Sequence, residues 1–264
     1  EEAARSLGLV GAIDSVGTLQ ALLTGSNAPT LQLAAASALA QLQHPRGLDA
    51  LRQLLSDGDE LTKVQSALVL LDHRDFIGAA SLWAAVTKGR LGEDRRIEVL
   101  GRLARSDDDQ AKVRLAEELP RLPSGESRIK VAYALAQIGE DSGWAELKSA
   151  AMRSSAPSEQ LLALRLLAAL GDTEQEEKLK AIASDRKQPD PVREQAMAGL
   201  ADGAHHSSLA PLSKALDEKG ASPRLRIAAA GAILKITAGE VARMGEQSLL
   251  AARAALGKIG RAHV

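Results

Sequence analysis

The side chains best suited to chemistry in this chain are its histidines and one acidic triplet. His44, His73 and His205 each lie five residues after one of the recurring aliphatic positions Leu39, Leu68 and Leu200. A shared metal would need their nitrogens about 2.1 Å from one ion, whereas turns on stacked helices are spaced by about 8–10 Å. With no third ligand in view, the three read as solvated turn residues, and the adjacent pair His205-His206 reads as a polar loop. Asp107-Asp108-Asp109 follows Ser106 at an expected helix start, where carboxylates cap free N–H groups and meet the positive end of the helix dipole. The chain has no cysteine, which removes thiolate nucleophiles, disulfides, cysteine-ligated zinc and iron–sulfur clusters. Phosphate loops, GxGxxG, HExxH, GxSxG and calcium-loop patterns are absent as well. No catalytic residue, metal or cofactor is assigned, and the expected class is a binding protein rather than an enzyme.

Binding chemistry is better represented. Arg95, Arg102, Lys130 and Arg165 surround Tyr133, the only tyrosine in the chain. Arginine and tyrosine are enriched where interfaces concentrate their energy, so these five residues are the candidate partner site, suited to an acidic segment of another protein.

The elements that would position them come from a repeat. Residues 35–51, AASALAQLQHPRGLDAL, align without a gap to residues 131–147, VAYALAQIGEDSGWAEL. Taking Leu39 as anchor, equivalents fall at Leu7, Leu68, Leu100, Leu135, Leu167, Leu200 and Ile233, with a partial unit at Leu256. Each unit carries two apolar segments at helical spacing, as in Leu31, Ala35, Ala38, Leu39 and Leu42, then Leu48, Leu51, Leu54 and Leu55. Glycine- and proline-rich turns such as Pro123-Ser124-Gly125 separate the units, and no alternating β pattern competes. Two short amphipathic helices cannot bury their apolar faces alone, so units must stack. The expected fold is all-α, a right-handed α–α superhelix of about eight helical hairpins, running as a single array over residues 1–264. Positions five and two before and two after each anchor share one helix face, which would form the concave surface and display the Arg95–Arg165 stripe.

Composition suits this fold. Apolar residues make up 45%, but aromatics only 2%, so small aliphatic side chains must build the core. Trp83 and Trp144 are expected in it, as are Leu39, Leu42, Leu68, Leu100, Leu135, Ile138, Leu167, Leu200 and Ile233. The formal net charge is −1, too little to recruit nucleic acid or an anionic membrane by a whole-chain field. Residues 1–60 are acidic and 222–264 basic, an asymmetry that would suit different partners at the two ends. The uncharged stretch between Asp14 and Arg46 is broken by Thr24, Gly25, Ser26, Asn27 and Pro29, short of the roughly 20 apolar residues a membrane span requires. The chain opens without methionine or a signal-peptide pattern and closes just after an anchor. A fragment of a larger protein is expected, with flanking domains; the compartment is left open, the cytoplasm being favoured.

The segment 190–212, DPVREQAMAGLADGAHHSSLAPL, resembles the HEAT repeats, particularly their phycobilisome-lyase-like variety. In that family an Asp and an Arg three residues later tend to bond between adjacent units; Asp190 and Arg193 occupy those places. The Arg recurs as Arg128 and Arg226, while Gln32, Leu61, Glu93 and Gln160 depart from the pattern. The resemblance implies an α-solenoid of the armadillo/HEAT type serving as a protein-interaction scaffold. A lyase-type enzyme or accessory subunit related to phycobilin lyases is the alternative it raises, and nucleic-acid binding is a third, weaker for want of aromatic stacking residues and a basic groove.

Overall fold

The computed structural model describes residues 13–24, 28–89 and 91–244, with Ile13 and 239–244 described as backbone only. Among the described residues there are fourteen α-helices and no strand. The helices group into two compact units, residues 1–123 and 124–264. The first holds α1 (Val16–Leu23), α2 (Pro29–Gln41), α3 (Pro45–Asp57), α4 (Glu60–Asp72), α5 (Ala79–Thr87), α6 (Glu93–Arg105) and α7 (Asp109–Glu118). The second holds α8 (Glu126–Gln137), α9 (Asp141–Arg153), α10 (Pro157–Ala169), α11 (Thr173–Ser184), α12 (Asp190–Gly203), α13 (Leu209–Leu216) and α14 (Pro223–Met244). Six helical hairpins result, each an even-numbered helix followed by an odd-numbered one; in five the two helices pack directly on each other, whereas α12 packs on α10, α11 and α14 rather than on α13. The all-α, HEAT-like hairpin architecture expected from the sequence is thus present. The anchors Leu7 and Leu256 lie outside the described residues.

Backbone chemistry at the hairpin turns defines the register. The carbonyls of Leu39, Leu70, Leu103, Leu135 and Leu167 each accept a hydrogen bond from the N–H five residues on: His44, Asp75, Asp108, Glu140 and Asp172. One residue before each donor, the chain turns left-handed at Gln43, Arg74, Asp107, Gly139 and Gly171, and Ala204 does the same after Leu200. Such a turn ends a helix by satisfying its orphan carbonyls. The donor residue then caps the second helix: Asp108 and Asp172 accept from the N–H three residues later, His44 and Asp75 from the N–H two residues later.

The equivalent leucines are therefore Leu39, Leu70, Leu103, Leu135, Leu167 and Leu200, at intervals of 31–33 residues. Leu68 and Leu100 are buried but sit two and three residues off the repeat. His44 and His205 hold the capping place, whereas His73 ends α4 and its expected place belongs to Asp75.

Two further positions follow this register without exception. Twelve residues after each equivalent leucine stands another, Leu51, Leu82, Leu115, Leu147, Leu179 and Leu212, every one 0% exposed. Eight residues after it stands a buried residue, in most hairpins a small one: Gly47, Gly78, Ala111, Gly143, Gln175 and Ser208. Here the second helix crosses the backbone of the first. A Cβ on Gly143 would lie 2.4 Å from the Ala132 carbonyl oxygen and 2.5 Å from the Ala136 nitrogen. Gly143→Ala should therefore destabilise the protein by about 1–3 kcal/mol through overpacking, although alanine is the better helix former by roughly 1 kcal/mol. Urea denaturation measures it, and an unchanged or higher midpoint would show that the crossing can relax.

Left-handed geometry costs a residue with a Cβ roughly 1–2 kcal/mol, and Ala204 adopts it at φ 51°. Ala204→Gly is expected to stabilise the protein by about 1 kcal/mol, less than the full strain because glycine is freer when unfolded. The mirror substitution Gly171→Ala should lower stability by a similar amount in the same assay.

Most expected core residues are buried. Leu42 and Ile138 are only half-buried, because each is the C-cap residue of its helix and has left the packed face. Both tryptophans are also half-buried rather than enclosed. Trp83 donates its indole N–H to Asp108 Oδ2 at 2.7 Å, and Lys148 Nζ stands 5.9 Å from the Trp144 ring centre. No described helix is long and apolar enough to cross a membrane.

Candidate functional site: the first-helix face

The residues proposed to form one basic stripe occupy different places in the corrected register. Lys130 lies five residues before Leu135, and Tyr133 and Arg165 lie two before Leu135 and Leu167. Arg102 directly precedes Leu103, and Arg95 lies eight before it. At 100° per residue, Arg95 and Arg102 stand about a quarter turn around α6 from the face that carries the other three. They belong to the first unit, and Lys130, Tyr133 and Arg165 belong to the second.

The first-helix face also differs in character between the units. In the first, Ala34, Leu68 and Gly101 occupy face positions yet are buried, while Ser37, Gln65 and Glu98 are partly exposed and Gln41, Asp72 and Arg105 are exposed. In the second, Lys130, Tyr133, Gln137, Leu162, Arg165 and Ala169 are all partly exposed, and Gln195, Ala198 and Asp202 are exposed. Because α8, α10, α12 and α14 pack in succession, these side chains form one continuous accessible surface.

Its charges are paired. Lys130 Nζ lies 2.8 Å from Glu126 Oε1. Arg165 donates to Asp202 Oδ2 at 3.2 Å, and Lys235 donates to Asp202 Oδ1 at 2.6 Å, so one carboxylate ties together α10, α12 and α14. Gly199 makes room for this: a Cβ there would meet Arg165 Cγ at 2.4 Å. In the first unit Arg102 donates to Asp72 and, at 3.1 Å, to Glu98, which also receives Arg95 at 2.8 Å. None of these pairs is sealed from water, so each contributes on the order of 1 kcal/mol or less and exchanges readily.

Deeper pairs do structural work. Arginine recurs seven residues before the equivalent leucine as Arg96, Arg128, Arg193 and Arg226; the corrected register brings Arg96 into this series. Arg96 bonds Glu118, and Arg128 grips Glu146 through two nitrogens at 2.7 and 2.9 Å. Arg193 is buried, donating to the Ala183 carbonyl at 3.0 Å and to Glu218 at 2.7 Å. The inter-unit bond that the family resemblance implies for Arg193 is thus made to a carbonyl of the preceding hairpin, and its carboxylate partner is Glu218 rather than an equivalent of Asp190. Arg193 beside Glu218 holds that carboxyl below its ordinary range, as Arg128 does for Glu146.

One cluster has the composition of a catalytic centre. Ser207 Oγ lies 2.7 Å from Glu176 Oε1 and 2.9 Å from Lys180 Nζ, Ser208 donates to Glu176 Oε1 at 2.9 Å, and His205 Nε2 stands 3.8 Å from Glu176 Oε2. Burial pushes the Glu176 carboxyl up, but Lys180 and the two hydroxyls outweigh it and hold it below its usual value. Burial lowers Lys180, and its bonds to Glu176 and Glu177 more than restore it. Lys180 is therefore an ammonium that has no lone pair to activate Ser207. The cluster fastens α11 to the turn before α13. No group of three or more His, Cys, Asp or Glu that could hold a metal occurs among the described residues.

A HEAT-repeat family model matches residues 1–71. Among solved structures, human deoxyhypusine hydroxylase in complex with glycerol is similar at 18% identity and a TM-score of 0.40, covering 94% of this chain and 95% of that one. No curated protein matches.

Proposed function

We propose that the protein is an interaction scaffold that binds another protein through the first-helix face of its second unit, around Lys130, Tyr133 and Arg165. The supporting observation is that none of the nine face positions on α8, α10 and α12 is buried, whereas three of the nine on α2, α4 and α6 are. Tyr133 offers a rigid amphipathic ring, and arginine and tyrosine are favoured anchors. Lys130 pairs with Glu126, and Arg165 and Lys235 share Asp202. An acidic segment gains by exchanging with such weak surface pairs, so affinity falls as salt rises.

A photo-crosslinking amino acid at position 133 tests the proposal, with the same label at the exposed Met152 of α9 as comparison. The label at 133 is expected to capture a defined protein. Unlabelled wild type should compete for that protein, and Lys130→Ala,Arg165→Ala should not. Capture from position 152 alone, or equal competition by both proteins, would move the binding surface elsewhere.

A further inference from the structure

Beside this face, within the second unit, the first turns of α10 and α12 and the end of α11 enclose an open trough of about 330 Å3. Its floor is aliphatic: Leu161, Leu164, Ile182 and Val192. Its rim is made of Ser158 and three glutamines, Gln160, Gln188 and Gln195. No lining residue is charged, in a chain where 25% of residues are.

The glutamines differ in what they have left to offer. Gln160 spends an N–H on the Ser154 carbonyl at 2.7 Å, and Gln188 spends one on Asp185 at 3.5 Å, which leaves their amide oxygens as acceptors. Gln195 is exposed and its side chain bonds no other described residue, so it offers both donor and acceptor. A primary amide bearing both is the complement of a peptide group, which also presents one N–H and one C=O. A charged occupant would surrender hydration for no counter-charge. The floor returns energy only for aliphatic surface.

We infer that this trough binds an extended, locally uncharged peptide segment of a partner protein, its main chain held by the Gln195 amide and one aliphatic side chain seated over Leu164 and Val192. The inference rests on the scaffold reading above and adds the chemistry of the segment bound: neutral in the trough, with its acidic part reaching Lys130 and Arg165.

Panning the full chain against phage-displayed random 12-residue peptides provides the test, with the strongest binder then made as an acetylated, amidated synthetic peptide. Enriched sequences should share aliphatic residues within an uncharged run. Gln195→Glu, an exposed and nearly isosteric change, should weaken the synthetic peptide by about tenfold or more, as loss of a hydrogen bond beside an introduced charge implies. Methylating the peptide's central amide nitrogen should do the same. Val192→Arg should abolish binding while the far-UV circular dichroism stays native, with the melting temperature lowered because Val192 packs partly against the core. Absence of enrichment, or a binder indifferent to Gln195→Glu and to N-methylation, overturns the inference. A purely acidic binder lost in Lys130→Ala,Arg165→Ala but kept in Gln195→Glu would overturn it while leaving the scaffold reading intact. Trough binding without any capture from position 133 would do the reverse.

Discussion

Leu135→Ala is expected to cost about 4 kcal/mol. The side chain is 0% exposed, and truncating such a leucine removes transfer free energy and leaves a cavity that the surroundings fill only in part. Leu135 stands at the joint of its hairpin: its carbonyl accepts from Glu140, and Leu147 and Gly143 of α9 follow in the same register. In an array where each hairpin contacts mainly its neighbours, damage stays local. Hydrogen exchange should therefore show α8 and α9 losing protection first, with α12 and α13 least affected. A loss under about 1 kcal/mol would mean that neighbouring alanines collapse into the space.

Much of this core was legible from sequence. Leu39, Leu135, Leu167 and Leu200 emerge from simple self-alignment because small aliphatic residues leave a clean period. In the first unit the alignment slips to Leu68 and Leu100, since α4 and α6 carry apolar residues on several faces, among them Leu70, Leu71 and Leu103. The pair of leucines twelve residues apart, with a glycine, alanine or serine eight after the first in most hairpins, would have fixed the register without coordinates. That slip placed Arg95 and Arg102 in a stripe to which the helix geometry does not assign them. The salt-bridge partners were not legible, because Glu218 meets Arg193 across 25 residues of chain and nothing in the local pattern marks it.

Arg193→Ala is expected to cost about 3 kcal/mol, at the lower end for removal of one member of a buried pair. It takes the donor from the Ala183 carbonyl and leaves Glu218 to Arg186, 3.3 Å away and largely exposed. The pH dependence separates the ion pair from mere packing. Glu218 has a lowered folded-state pKa, so its contribution is complete above the unfolded carboxyl value of about 4.5 and is lost as pH falls through the lowered one. Wild type should lose this increment in acid, and Arg193→Ala, already without it, should lose less. Arg193→Met,Glu218→Gln should recover part of the loss at neutral pH by removing both charges together. If the single variant keeps the wild-type acid profile, the bond to the Ala183 carbonyl rather than the ion pair carries the effect.

The left-handed joint returning every 31–33 residues makes this chain a ruler with a fixed unit of length. A duplication or deletion spanning one whole interval delivers the next helix to its joint in the orientation it had before, so the array can grow or shrink by copying. An insertion of a single residue inside a helix turns everything after it by 100° on that helix's axis, taking the leucines off the seam. Residues 35–51 and 131–147, three intervals apart, align without a gap, as such copying would leave them. Any surface displayed on the first helices lengthens in the same discrete steps, and a lineage can alter how much of a partner it spans without redesigning a single contact.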